Sequence, residues 1–126
     1  MRVCVVGAGG REHAVARSVF LGGAEVVVCP GNPGMTMLSG LSCVAGPPES
    51  VSADLWVVGP EAPLVSGLAD RLRAAGRLVV GPGADGARLE GSKAWMKSVL
   101  VSAGVPTAGY GAFSSGSLGA ESWGAA

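Results

Sequence analysis

Residues Val3–His13, reading VCVVGAGGREH, constrain this chain more than any other stretch. A mostly β-branched apolar run, Val3 to Val6, stops at a turn made by Gly7, Gly9 and Gly10, and an apolar-rich segment then continues to Leu21. Strand, tight turn and helix is the arrangement that uses all three parts. Glycines let a backbone take positive φ and come close to a ligand. A helix N-terminus just behind them presents unpaired N–H groups and a partial positive charge, which suit an anion such as phosphate. A strand over Arg2–Val6 that is apolar on both faces belongs in the middle of a parallel sheet covered on both sides.

The same pattern recurs along the chain. The spacing predicts a helix over about Glu12–Leu21, stopped by Gly22-Gly23, and a second strand over Glu25–Cys29. Pro30-Gly31-Asn32-Pro33-Gly34 reads as a rigid loop that continues neither element, and Met35–Gly40 as one helical turn at most. Leu41–Ala45 reads as a short third strand, Asp54–Val58 as a fourth and Leu78–Val80 as a fifth. Leu64, Leu68 and Leu72 at i,i+4 predict one helix over Leu64–Ala75, ended by Gly76. A short helical stretch is expected around Ala87–Glu90, and Ser92 as the N-cap of a helix over Lys93–Ala103. The link between the third and fourth strands is the anomaly. A parallel crossover normally takes about a dozen residues or more, usually with a helix, and Gly46–Ala53 is too short and too rich in proline for that.

This alternation predicts an α/β fold, a doubly wound parallel sheet. The expected division is a domain over residues 1–104 and a loop-like linker or start of a further domain over 105–126. Ligands bind such sheets outside the carboxyl ends of the strands. Four Gly/Pro loops fall there: GAGGREH, PGNPG, GPEAP and GPG. They would open on one edge, and their convergence argues for a ligand site.

Composition narrows the partners. Nine Lys+Arg balance nine Asp+Glu with no basic stripe, so nothing favours nucleic acid. No segment approaches the ~20 apolar residues of a membrane span, and Arg2 leads into a strand pattern whose apolar run stops at Gly7, so no signal peptide is expected. Cys4, Cys29 and Cys43 are odd in number and lack a CxxC pair, so neither a disulfide framework nor a zinc site is suggested. A cytoplasmic protein without membrane contact is the expectation.

The glycine turn invites a dinucleotide reading, but the third fingerprint glycine falls on Glu12. The second strand ends in Cys29-Pro30 where an acid should hold the ribose hydroxyls, and its one acid, Glu25, stands at the other end. A phosphate-bearing small molecule fits better, held by loop amides and the Arg11 guanidinium. His13 is either a polar residue of the first helical turn or a ligand contact. Glu61, fixed between Pro60 and Pro63, is either solvated or bonded to ligand hydroxyls or an amine. Lys93 and Lys97 read as a solvated helix face. Gly91-Ser92-Lys93 lacks the spacing of a Walker A loop.

The series VVGAGGREHA, PGNPG, VVGPEAPLVSGLAD, GP…ARLEGSKAWMK and AGVPTA resembles, in order and spacing, the N-terminal domain of the phosphoribosylamine–glycine ligases. The resemblance covers about residues 1–113. It implies a Rossmann-like pre-ATP-grasp domain of a purine-biosynthesis ligase that uses ATP to activate glycine as an acyl phosphate. The amine of 5-phosphoribosylamine then attacks, giving glycinamide ribonucleotide, ADP and phosphate. It further implies that Gly9, Gly10, Arg11, Glu12 and His13, with Asn32, Gly34, Pro60 and Glu61, line the ribose-phosphate side. Lys93 would approach the nucleotide phosphates.

Three departures accompany the resemblance. Ala8 stands where the family usually has Asn or Ser, and Gly46–Ser52 is shorter than the family's crossover, which usually contains a helix. The ATP-grasp domains with their Mg (or Mn) ligands are not in this sequence, and Glu49, Asp54, Asp85 and Glu121 are expected on scattered loops. The implication is a chain inactive alone, working with ATP-grasp domains in cis or trans. The other readings are a non-catalytic ribose-phosphate module docking on a separate ATP-grasp chain, and a small dinucleotide-binding protein.

Overall fold

A computed structural model describes residues 1–113. Five strands form one sheet: β1 (Arg2–Gly7), β2 (Glu25–Pro30), β3 (Leu41–Cys43), β4 (Leu55–Val58) and β5 (Leu78–Val80). Their order is β3-β2-β1-β4-β5, and every neighbouring pair is parallel. The predicted doubly wound sheet is therefore present. The apolar run of β1 takes the centre, where Val3, Cys4, Val5 and Val6 are all buried.

Period-two alternation sends each strand's residues to two cores. One core holds Val3, Val5, Val26, Val28 and Met35 under Ala16 of α1 (Gly10–Leu21). The other holds Cys4, Val6, Cys29, Trp56 and Val58 against Leu64, Leu68 and Leu72. Those leucines belong to two helices, α3 (Glu61–Val65) and α4 (Leu68–Ala74), and not to one helix over Leu64–Ala75. Gly67, at φ +82°, breaks them, while the i,i+4 leucine spacing runs on across the break. Helix α3 also begins three residues before the expected start, at Glu61 against Leu64.

Other boundaries shift for local reasons. The expected PGNPG loop already contains the start of α2 (Pro33–Thr36): Asn32 caps it and Pro33 occupies its first position, where a missing N–H costs nothing. The third strand ends at Cys43, short of Ala45. The short helical stretch becomes α5 (Ala84–Gly91), which takes Asp85 off its expected loop. The Ser92 cap accepts from the Trp95 N–H at 3.3 Å and opens α6 (Lys93–Ser102). Residues 105–113 carry no helix or strand, and the rest of the expected tail lies outside the described residues.

The crossover from β3 to β4 holds a single 3₁₀ turn, Pro48–Ser50, in place of a helix. Contacts divide the chain into two compact units, Met1–Ala87 and a second beginning at Arg88.

Candidate functional site

The chain order reverses direction between β1 and β4, which makes the carboxyl ends of these two strands the switch point of the sheet. Gly7, Gly9 and the first turn of α1 lie on one side of it, and Gly59 and Pro60 on the other. The ladders run past the strand ends: the Gly59 N–H donates to Val6 O at 3.2 Å and the Gly31 N–H to Gly7 O at 3.1 Å. Three of the four predicted loops are thereby fixed to one another, and with them Gly9, Gly10, Arg11, Asn32, Pro60 and Glu61.

Arg11 and Glu12 are adjacent in sequence and opposite in setting. The Arg11 side chain is exposed, whereas Glu12 is 5% exposed, the one charged residue among the buried positions of the described residues. Glu12 is the third residue of α1, and its Oε2 accepts from the N–H of the N-cap, Gly9, at 2.8 Å. Its Oε1 accepts from Arg11 Nε at 3.0 Å. Arg11 Nη2 donates to the carbonyl of Gly59 across the switch point. Burial alone raises the Glu12 carboxyl, but the hydrogen bonds from Arg11 and the Gly9 amide, with the Arg11 charge, outweigh it and hold the group below its usual value. A cleft of about 190 Å³ opens beside this pair, with Val5, Val15 and Val57 on its walls.

Asn32 spends its amide on the scaffold. Its Nδ2 donates to the Ala8 carbonyl at 2.8 Å, tying the two loops, and its Oδ1 accepts from the Met35 N–H at 3.1 Å. The half-buried His13 ring closes on Gly34, where a Cβ would stand 3.4 Å from His13 Cε1. Glu61, the first residue of α3, is exposed. These nine residues therefore cluster at one edge. Lys93 belongs to the second unit, where it opens α6 and, with Lys97, Tyr110 and Phe113, lines a separate cleft of about 310 Å³. Lys97 itself is occupied, donating to Thr107 Oγ1 and Ala108 O under the Tyr110 ring.

Sequence reasoning missed Gly59 as an anchor. No sequence signal marks a carbonyl that will receive an arginine, although the pattern of strands puts the GPEAP loop containing it at this edge. Among the described residues no group of three or more His, Cys, Asp or Glu is arranged to hold a metal ion, and no helix is long and apolar enough to cross a membrane.

A five-stranded, all-parallel sheet with a glycine turn, a helix N-terminus and a braced arginine at its switch point defines a doubly wound α/β domain. A family model described as "Phosphoribosylglycinamide synthetase, N domain" matches residues 1–90, and the chain belongs to that family. It is 46% identical over 118 residues to the phosphoribosylamine–glycine ligase of Streptomyces coelicolor, covering 86% of this chain and 28% of that protein. Against the ligase of Corynebacterium ammoniagenes the identity is 43% over 120 residues, with the same coverage of 86% and 28%. The solved structure of phosphoribosylamine–glycine ligase from Thermotoga maritima superposes with a TM-score of 0.68 at 29% identity, over 86% of this chain and 26% of that one. The chain thus spans about 28% of the length of the curated relatives it matches.

Proposed function

We propose that this chain is the substrate-binding N domain of a ligase of purine biosynthesis that joins glycine to 5-phosphoribosylamine with cleavage of ATP. The observation that carries this reading is the family match over residues 1–90, together with relatives that are phosphoribosylamine–glycine ligases. In this reading the substrate phosphate sits against the Gly9-Gly10 turn and the Arg11 guanidinium, as the charge of a helix N-terminus favours. Asn32 and Gly34 wall one side and His13 stands against them. Pro60 and Glu61 wall the other, with the Glu61 carboxylate available to the ribose hydroxyls or the amine.

ATP, when bound, supplies the activation of the glycine carboxylate. Lys93 is proposed to meet its phosphates. The metal, Mg or Mn, is proposed to be held by the ATP-grasp domains. The domain of residues 1–104 then delivers 5-phosphoribosylamine to ATP-grasp domains reached in cis or in trans, with 105–126 as the connection. Alone it holds substrate without turning it over. Free thiols at Cys4, Cys29 and Cys43 suit a cytoplasmic setting. The dinucleotide reading loses support, because the Glu12 side chain fills the place of the third fingerprint glycine.

Titration calorimetry with ribose 5-phosphate as the probe tests the site. Binding is expected, with Arg11→Ala weakening it by about 1.5–3 kcal/mol, the scale of a hydrogen bond to a charged group. No binding, or unchanged affinity in the variant, refutes the assignment. A coupled ADP assay with glycine and 5-phosphoribosylamine should read no turnover from this chain alone, and turnover would overturn the inactive-alone reading.

A further inference from the structure

We infer that Glu12 is a positioning residue: its buried carboxylate fixes the glycine turn through the Gly9 amide and presets the Arg11 guanidinium for an anion at the β1–β4 crevice, without touching the ligand itself. The inference rests on the proposed function only for the identity of that anion.

The first observation is the space. Three glycines surround the carboxylate. A Cβ at Gly7 would stand 2.4 Å from Glu12 Cγ, one at Gly9 would stand 2.6 Å from Oε2, and one at Gly59 would stand 2.3 Å from Oε1. All three are closer than carbon and oxygen atoms pack without displacement. Gly7 and Gly9 of the first turn and Gly59 of the loop after β4 leave Glu12 this room, and Gly7 is also required by its own φ of +134°. That explains how a glutamate replaces the third glycine of a dinucleotide fingerprint. The fingerprint needs glycine there so that helix and strand can approach. Here the helix residue is large, and Gly7 and Gly59 provide the room.

The second observation is the wiring. One carboxylate oxygen holds the loop amide at 2.8 Å and the other holds Arg11 Nε at 3.0 Å. Arg11 is gripped again by the Gly59 carbonyl. The guanidinium therefore spans the crevice from α1 to the loop after β4. A bare carboxylate beside a phosphate would repel it. Paired with Arg11 and buried, Glu12 adds geometry and not attraction. Holding a long side chain before the ligand arrives removes an ordering cost, which corresponds to roughly five- to tenfold in affinity.

The test combines two cycles on the full chain. In the first, ribose 5-phosphate affinity is measured for Glu12→Gln, Arg11→Ala and the double variant. Gln keeps the size but turns an NH₂ toward one of the two donors. Glu12→Gln should weaken binding about five- to tenfold alone and by less than about twofold when Arg11→Ala is already present. The Arg11 Nε–H signal in a ¹⁵N correlation spectrum should lose its hydrogen-bonded shift in Glu12→Gln. Equal losses in both backgrounds would mean that Glu12 meets the ligand directly, and overturn the inference. An unchanged Arg11 signal would also overturn it.

The second cycle needs no ligand. Gly59 has no positive φ, so Gly59→Ala is resisted by the Glu12 side chain and not by its own backbone. Gly59→Ala should lower Tm in the native sequence and leave it unchanged when Glu12→Ala has vacated the space. Equal loss in both backgrounds refutes the cradle. If the native chain ignores ribose 5-phosphate, the proposed function fails, while the spectrum and the Gly59 cycle still decide the role of Glu12.

Discussion

From β1 to β2 the chain returns through α1, a helix of 12 residues whose Ala16 lies flat on the sheet. From β3 to β4 it returns through residues 44–54, with only the Pro48–Ser50 turn and no helix. The second route is the more demanding. It must pass from one side of β2 and β1 to the other, three strand spacings of about 4.8 Å each. A nearly extended backbone covers that distance easily at about 3.3 Å per residue, whereas a helix would consume residues at about 1.5 Å each. The short route has no helical face of its own, so its cover is found elsewhere.

The cover comes from side chains of other elements gripping the short route. Trp56 of β4 is buried, and its Nε1–H donates to the Pro48 carbonyl at 3.1 Å. The Arg77 guanidinium lies 4.8 Å from the Trp56 ring centre and donates to the Glu49 carbonyl. Arg71 of α4 pairs with the Glu49 carboxylate at 2.9 Å. Val44, Val51 and Ala53 add apolar contact. A cleft of about 240 Å³ remains beneath, between Val27 and Val51. A helix brings its own cover as a continuous apolar face, while a short crossover borrows cover as separate polar grips.

The largest effect expected from this contrast is at Trp56. Trp56→Ala should cost about 3–5 kcal/mol in chemical denaturation, since burial, hydrogen bond and cation stack are lost together. A cost near 1 kcal/mol would mean that the short route does not depend on its grips.

Acid separates the two routes further. Each carries one carboxylate held below its usual value: Glu12 as described, and Glu49 by its own backbone amide and then Arg71, against the opposing effect of burial. A depressed folded value stabilises fully above the ordinary carboxylate value of 4.5 and is lost as pH falls through the folded value. Glu12→Gln and Glu49→Gln should each flatten the acid limb of stability against pH. Molar salt should weaken the Arg71 contribution at Glu49 more than the Arg11 contribution at Glu12, because the Glu49 side chain is 35% exposed and that of Glu12 6%. Equal salt sensitivity would remove this distinction. The smallest effect belongs to Arg71→Ala, an exposed pair worth no more than about 1 kcal/mol. A larger loss in denaturation would show that Glu49 and Arg71 anchor the crossover more firmly than an exposed pair can.

Much of this architecture is legible in the residues, for reasons that also explain the gaps. The strands β1, β2, β4 and β5 announce themselves as apolar runs closed by Gly or Pro. The break at Gly67 does not, because Leu64, Leu68 and Leu72 keep helical spacing on both sides of it. The start of α2 was available in Asn32-Pro33, a cap followed by a first-position proline. At the site, the clustering of nine residues follows from parallel strands alone. The inward turn of Glu12 does not, since it depends on Gly59, far along the chain, leaving room for a carboxylate.

The two cores also set the chemistry of the thiols. Cys4 is fully buried, with its pKa pushed up to about 12 by burial and then by neighbouring Cys29, and Cys29 is raised too, by burial and then Glu49. Cys43, at the end of edge strand β3, is only half-buried. Alkylation proceeds through the thiolate, so a neutral solution of an alkylating reagent modifies Cys43 first and reaches the other two only when the sheet opens. The three cysteines thus make a built-in label count by which mass spectrometry reports how much of the sheet is closed at any moment.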